Sequence, residues 1–381
     1  MKKYFFSAFL VATFAIGFTA SDDEYEAEEV VTPSTIPDDA LATPNPEVTN
    51  PTTTVPNIQT SFETEGNDLV MRINMTGVKN STDIDWLKLY GTGLSNQNVW
   101  VEIDGKPKGI EVINVTEGEG TEVIADIVFI VDNSGSMGQE AEAINRDIMA
   151  WAEQLEAGGL NARFAIVGYW EGPILGARNF CNASELKEYL DYGYGTERTK
   201  HFGGEDASTL QSKAANYGVS GYHECGAGAI RFANDCFNFR NGATRIYINF
   251  TDEPNQPNGN AGFSVKFFED QANWPAAQGT VHTVYSEYKY DYTNWNYNES
   301  PWYISDYTGG TTQFIQSNAS DLDLNQITVT GAILHSYIIR LKDVGEFIND
   351  GITHEVHLTI LSQEGENQVR AEKTFEVMFN M

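Results

Sequence analysis

The feature that most restricts the fold is a run of five apolar residues, Ile127-Val128-Phe129-Ile130-Val131, ending directly on Asp132-Asn133-Ser134-Gly135-Ser136. A strand with one wet face alternates apolar and polar side chains. An unbroken apolar run fits a strand covered on both faces, as in a parallel sheet. The chain after it keeps switching period. Ile144, Ile148, Trp151, Ala152 and Leu155 recur at helical spacing, and a strand follows at 164–167. A long irregular stretch leads to a helix around Ala227, Ile230, Ala233 and Phe237, then a strand at 246–250. A helix at 264–278, a strand at 281–285, a short helix near Ile304 and a strand at 313–315 complete the series. Strands alternating with helices predict a doubly wound, mostly parallel α/β domain over 124–326.

The flanks read differently. Between 57 and 123, short runs at 69–73, 86–90, 99–103 and 110–113 are strand-like, and several alternate apolar with polar. Strand patterns return at 336–341, 354–361 and 371–379. Each flank is small for a core of its own. The expectation is one antiparallel β-sandwich, residues 57–123 and 327–381, into which the α/β domain is inserted.

The first twenty residues have a positive start at Lys2 and Lys3, an apolar stretch and small residues at Thr19-Ala20. That is the three-part pattern of an export signal. Nothing later approaches the ~20 apolar residues of a membrane span, so no transmembrane segment is expected in the mature chain. Residues 21–56 hold nine acids, no base, six prolines and seven threonines, a composition expected to form a disordered stalk. A formal charge of -31 repels phosphate backbones and favours cations, which argues against nucleic acid as a partner.

Asp132, Ser134 and Ser136 place a carboxylate and two hydroxyls on one tight loop at the carboxyl edge of a buried strand. Hard cations such as Mg2+ take oxygen ligands of this kind. The Asp-x-Ser-x-Ser-Met pattern after 126–131 resembles the von Willebrand factor type A domain and its metal-ion-dependent adhesion site, over about 124–326. The resemblance implies further ligands. Asp252, ending the run Ile246-Tyr247-Ile248-Asn249-Phe250-Thr251-Asp252, matches the last ligand position. Many members use a Thr before the third helix, but His223-Glu224-Cys225-Gly226-Ala227 contains none; Glu224 matches the variant of the integrin beta-subunit domains. Those domains are also inserted into a sandwich. A second, adjacent metal site would need acids soon after the loop; only Glu140 fits, so no second site is expected. The implied function is a surface-displayed adhesion protein in which Asp132, Ser134, Ser136, Glu224 and Asp252 hold Mg2+, with Mn2+ or Ca2+ as alternatives. One coordination position is left for a partner's carboxylate.

Other partner readings stay open. Tyr288, Tyr290, Tyr292, Trp295 and Tyr297 lie in an aromatic stretch after the fifth strand. They either pack as a loop core or anchor a protein or glycan ligand. A fimbria-like assembly subunit and a glycan-binding surface protein are the alternatives. An export signal followed by acids resembles surface lipoproteins of Gram-negative bacteria, although the lipid-bearing Cys is missing. No enzyme is expected: Ser134-Gly135-Ser136-Met137-Gly138 is not a Gly-x-Ser-x-Gly elbow, and no HExxH occurs. His354 and His357 sit three apart on a strand, on opposite faces, and are expected at the surface. Cys225 and Cys236 on one helix would be ~16 Å apart, beyond disulfide reach. Cys181, following an edge strand antiparallel to its neighbours, is expected to pair with Cys236 and leave Cys225 free.

Overall fold

A computed structural model describes residues 34–47, 51–52, 58–66, 68–78, 86–114, 124–157, 160–170, 172–286, 298–325, 331–333, 335–364 and 367–379. The expected export signal, residues 21–33 of the stalk and the aromatic residues Tyr288, Tyr290, Tyr292, Trp295 and Tyr297 lie outside these.

Strands β1 (Pro51–Thr52), β2 (Ile58–Glu65), β3 (Asp68–Met75), β4 (Val99–Ile103), β5 (Lys106–Pro107) and β6 (Ile110–Asn114) come first. The α/β part holds β7 (Ile124–Asp132), α1 (Ala141–Ala157), β8 (Asn161–Tyr169), β9 (Ile174–Cys181), α2 (Ala183–Leu190), β10 (Phe202–Gly203) and α3 (Ala207–Ala214). It continues with α4 (Gly226–Cys236), β11 (Thr244–Thr251), β12 (Thr280–Ser286), α5 (Trp302–Thr308) and β13 (Thr312–Ile315). Strands β14 (Tyr337–Leu341), β15 (Thr353–Glu364) and β16 (Asn367–Met378) follow.

The central sheet runs β10-β9-β8-β7-β11-β12-β13. All neighbours are parallel except the β8–β9 hairpin. Strand β7 explains its own apolar run. Ala125, Ile127, Phe129 and Val131 join the core under α1 and α2, while Val128 and Ile130 join the core under α3, α4 and α5. Both faces are covered, so no position on the strand tolerates a polar side chain except at its ends.

At the lower end of β7 that exception is Asp126, fully buried. Its carboxylate accepts from Arg163 Nε and Nη2 at 3.2 and 2.9 Å, and from Arg240 Nε and backbone N at 2.8 and 2.7 Å. Arg240 reaches on to Ala125 O and Asn161. The clasp fixes the start of β7 against β8 and the loop before β11.

The flanking strands form two sheets, β2-β3-β14-β6 and β1-β16-β15-β4-β5. Strand β14 pairs antiparallel with β3 and β6, and β15 with β4 and β16. Met71, Ile73 and Ile339 of one sheet share a core with Val101, Val356 and Leu358 of the other. Gln59 Nε2 donates to Ala277 O and Asn74 Nδ2 to Gly242 O, tying these sheets to the α/β part.

Several expectations are corrected. Residues 34–47 are not a free stalk: Ile36 is buried, Asp39 pairs with buried Lys108, and Trp100 Nε1 donates to Thr43 Oγ1. One large apolar side chain and a buried ion pair suffice to hold a segment whose overall composition looks disordered. The strand at 86–90 has no ladder beyond a bridge at Trp86; Asn98 instead accepts from Tyr90 N and donates to Lys88 O. The helix at 264–278 is replaced by short 3-10 turns. The Ser264 side chain accepts from Lys266 N and that of Asp270 from Ala272 N, competing with helical bonds, and Pro275 blocks continuation. Within the stretch read as irregular, α2 starts on a capping box between Asn182 and Glu185. His354 is buried rather than at the surface.

The Cys181–Cys236 disulfide is also corrected, since all three cysteines are free and buried. Cys181 packs on the α1/α2 face of the sheet and Cys236 on the α3/α4 face. A bond that needs α-carbons within ~7 Å cannot cross a strand layer. Thiol titration in denaturant without reductant should therefore count three reactive thiols; a count of one would restore the disulfide.

Candidate metal site

The strand order is that of a doubly wound sheet, 3-2-1-4-5-6, with β10 added at one edge. Its crossover direction reverses between β7 and β11, and such sheets bind ligands in the crevice beyond the strand ends at that point. Asp132 closes β7 and Asp252 directly follows β11, so both acids face the crevice by topology alone.

The side chains are knitted together. Asp132 Oδ1 accepts from Ser134 N at 2.8 Å and Oδ2 from Thr251 Oγ1 at 2.8 Å. Ser134 and Ser136 share a hydroxyl–hydroxyl bond of 2.8 Å, and Ser136 Oγ donates to Asp252 Oδ1 at 3.0 Å. One continuous chain thus links Asp132, Ser134, Ser136 and Asp252. The loop is braced from below, where Thr199 Oγ1 donates to Asn133 Oδ1 at 2.6 Å and Asn133 N to Tyr169 O at 2.8 Å.

The electrostatics ask for a cation. Burial, then the charge of Asp252, pushes the Asp132 carboxyl up to about 7. Burial also raises Asp252, with the Ser136 bond opposing. Glu140, almost wholly buried, is raised by burial, with the bond from Ser286 Oγ (2.6 Å) opposing; among the described residues its Oε2 finds no hydrogen-bond partner. Burial and then Asp132 and Glu224 drive the Tyr169 hydroxyl upward too. Two buried carboxylates linked through one backbone N–H and two hydroxyls are costly as anions, and a divalent ion among the four oxygen-bearing side chains would offset that cost. The residues present fit a hard cation.

Glu224 is placed less directly. Its backbone N–H donates to Gln256 Oε1 at 3.0 Å and its carbonyl accepts from Gln256 N at 2.8 Å. These bonds zip the loop before α4 to the loop after β11, where Asn255 also accepts from Ala227 N. Among the described residues no three His, Cys, Asp or Glu side chains converge as a metal-holding group. The assembled set is two carboxylates and two hydroxyls. Sequence reasoning gave no role to Thr251, although its place at the end of β11, next to Asp252, was the available signal, nor to Asn133 inside the loop; Thr199 and Tyr169 are brought near only by folding.

The sheet order, the single antiparallel hairpin and the Asp-x-Ser-x-Ser loop at the switch point are the arrangement that the resemblance to the von Willebrand factor type A domain implies. No family model and no curated protein matches the chain. Among solved structures it is similar to BatB from Bacteroides thetaiotaomicron, at 15% identity, TM-score 0.31, over 50% of this chain and 90% of that one. It is also similar to the pilus adhesin SpaC from Lactobacillus rhamnosus GG, at 12% identity, TM-score 0.35, over 84% of this chain and 55% of the adhesin. The SpRpn10 VWA domain matches at 10% identity, TM-score 0.33, over 54% and 95%.

The burial of the Asp132 carboxyl has a consequence for stability against pH. The folded-state pKa of Asp132, about 7, lies above the ordinary 3.8. The folded protein therefore keeps a proton that the unfolded chain has released. Stability is complete below the ordinary value and is lost as pH rises toward 7. A divalent ion held by this set would require the ionised pair, so its stabilising effect should be small at pH 5 and large at pH 8. Melting curves in EDTA and in excess Mg2+ at both pH values check this; an equal Mg2+ effect at both would refute it.

Proposed function

We propose that the chain is an exported, surface-displayed binding protein that engages a partner's carboxylate through a divalent cation. The supporting observation is the bonded chain from Asp132 through Ser134 and Ser136 to Asp252, at the one crevice the sheet topology opens. Mg2+ suits the oxygen set, and Mn2+ or Ca2+ are compatible. Asp132, Ser134, Ser136 and Asp252 would hold the ion, with Glu224 as the acid on the neighbouring loop. When bound, the ion supplies a positive centre with an open position for an incoming oxygen.

The rest is the work of the protein's own groups. Thr251 holds the Asp132 carboxylate by a hydrogen bond, Asn133 and Thr199 brace the loop, and Gln256 fixes the facing wall. A preorganised wall of this kind loses little freedom on binding. Binding rather than catalysis is the proposed role. We further infer that the α/β domain is an insertion into the sandwich, because strands on either side of it pair with one another. No helix among the described residues is long and apolar enough to cross a membrane.

Capture from native surface material onto the full chain tests the function. Partners should bind in Mg2+ and elute in EDTA, and the Asp132→Asn variant should capture none. Capture that is indifferent to EDTA would refute cation-dependent binding.

A further inference from the structure

His354 stands in phase with Val356, Leu358 and Ile360 on β15, facing the sandwich core. Its ring lies 4.7 Å from that of Phe347 and 5.4 Å from that of Phe379. Nδ1 is 2.7 Å from Asp104 Oδ2, and Nε2 is 2.9 Å from Asp350 Oδ2. A neutral imidazole has one N–H, so its other nitrogen would turn a lone pair toward a carboxylate oxygen. Only the imidazolium satisfies both contacts, and the ring that makes them has 7% side-chain exposure.

We propose that protonated His354, bridging Asp104 and Asp350, is a latch that fastens the β4–β5 turn and the 342–352 loop to the start of β15. Loss of its proton frees the loop.

The charges around the ring agree. The β4–β5 hairpin brings Asp104 and Lys106, and Lys106 reaches Glu346 of the loop at 3.6 Å. The loop brings Asp350. Strand β15 itself adds Glu355, whose N–H donates to Asp104 Oδ1 at 3.0 Å. Strand β16 adds no charge at this point, placing Val377 opposite His354, and the Phe379 ring lies just beyond its end. The hydrogen bond to Asp104, and then the one to Asp350, raise the histidine's ionisation above its ordinary 6.5, with burial opposing. The latch is therefore closed below that value and opens as pH rises through the higher folded-state one.

The two carboxylates are unequally anchored. Asp104 also accepts from Glu355 N and donates its own N–H to Glu355 O at 2.9 Å. Asp350 otherwise bonds within its own turn, to Ile352 N. A neutral His354 keeps Asp104 and releases Asp350. Glu355, the next residue, lines a cavity of about 290 Å³ with Ile58 of the sandwich and Pro275 and Ala277 of the α/β part. The latch thus sits one residue from the junction between the two parts.

Ring NMR shifts of His354 in the full chain should show imidazolium at pH 7, with its midpoint above 6.5. Hydrogen exchange, corrected for intrinsic rates, should show protection of 342–352 falling at least tenfold between pH 6 and pH 9. In His354→Gln the loop should be equally unprotected at both pH values. A ring midpoint at or below 6.5, or wild-type protection that does not change with pH, would overturn the proposal. The NMR titration decides the matter even if the variant does not fold.

Discussion

Asp126→Ala should cost the fold about 3–5 kcal/mol, the range for removing one partner of a buried charge cluster. Asp126 has no exposure, and two arginines converge on it, Arg163 with 31% and Arg240 with 23% side-chain exposure. Removing the carboxylate leaves both guanidinium groups facing each other without an anion at the foot of the sheet. Arg240's remaining bonds to Ala125 O and Asn161 are oriented by the same clasp, so the loss extends beyond one pair. The melting temperature should fall by roughly 10 °C, from the usual relation between free energy and melting point in domains of this size. Asp126→Asn should recover part of the loss, because it still accepts from Arg240 N. A fall in melting temperature of under 2 °C in the alanine variant would mean that the clasp does not hold the sheet.

At the opposite end of the same strand, charge removal should act in the other direction. Asp132→Asn in EDTA at pH 8 should be more stable than the wild type, by up to a few kcal/mol, since it deletes an anion that burial and Asp252 disfavour. Its amide keeps an acceptor for Ser134 N. Yet it should gain nothing from Mg2+, whereas the wild type should regain its deficit. A residue serving stability alone would not show this crossing of the two melting curves. Parallel responses to Mg2+ in wild type and variant would remove Asp132 from the cation site.

How much of this was legible follows from how local each signal is. The apolar run of β7 and the Asp-x-Ser-x-Ser loop are contiguous, and one strand and one turn fix their geometry. Asp252 needed only the end of β11 to be placed. The disulfide failed because the face on which Cys181 lies depends on strand parity, and the β8–β9 pairing is irregular between Phe164 and Ile166. An irregularity of that kind shifts which side chains point to which face. His354 was legible and misread: its two-residue phase with Val356, Leu358 and Ile360 marks an inward position. The 264–278 segment carries enough apolar residues for a helix, but Ser264, Asp270 and Pro275 redirect its backbone. Residues 34–47 look disordered by composition because the ion pair of Asp39 depends on Lys108, 69 positions away.

The crevice between β7 and β11 is proposed to hold a cation. Calorimetric titration of Mg2+ and Mn2+ into EDTA-stripped, rebuffered full chain at pH 8 tests it most directly. Saturable binding of about one ion per chain is expected, abolished in Asp132→Asn and in Asp252→Asn and weakened at pH 5. Absence of binding in the wild type, or equal binding in all three proteins, would contradict it.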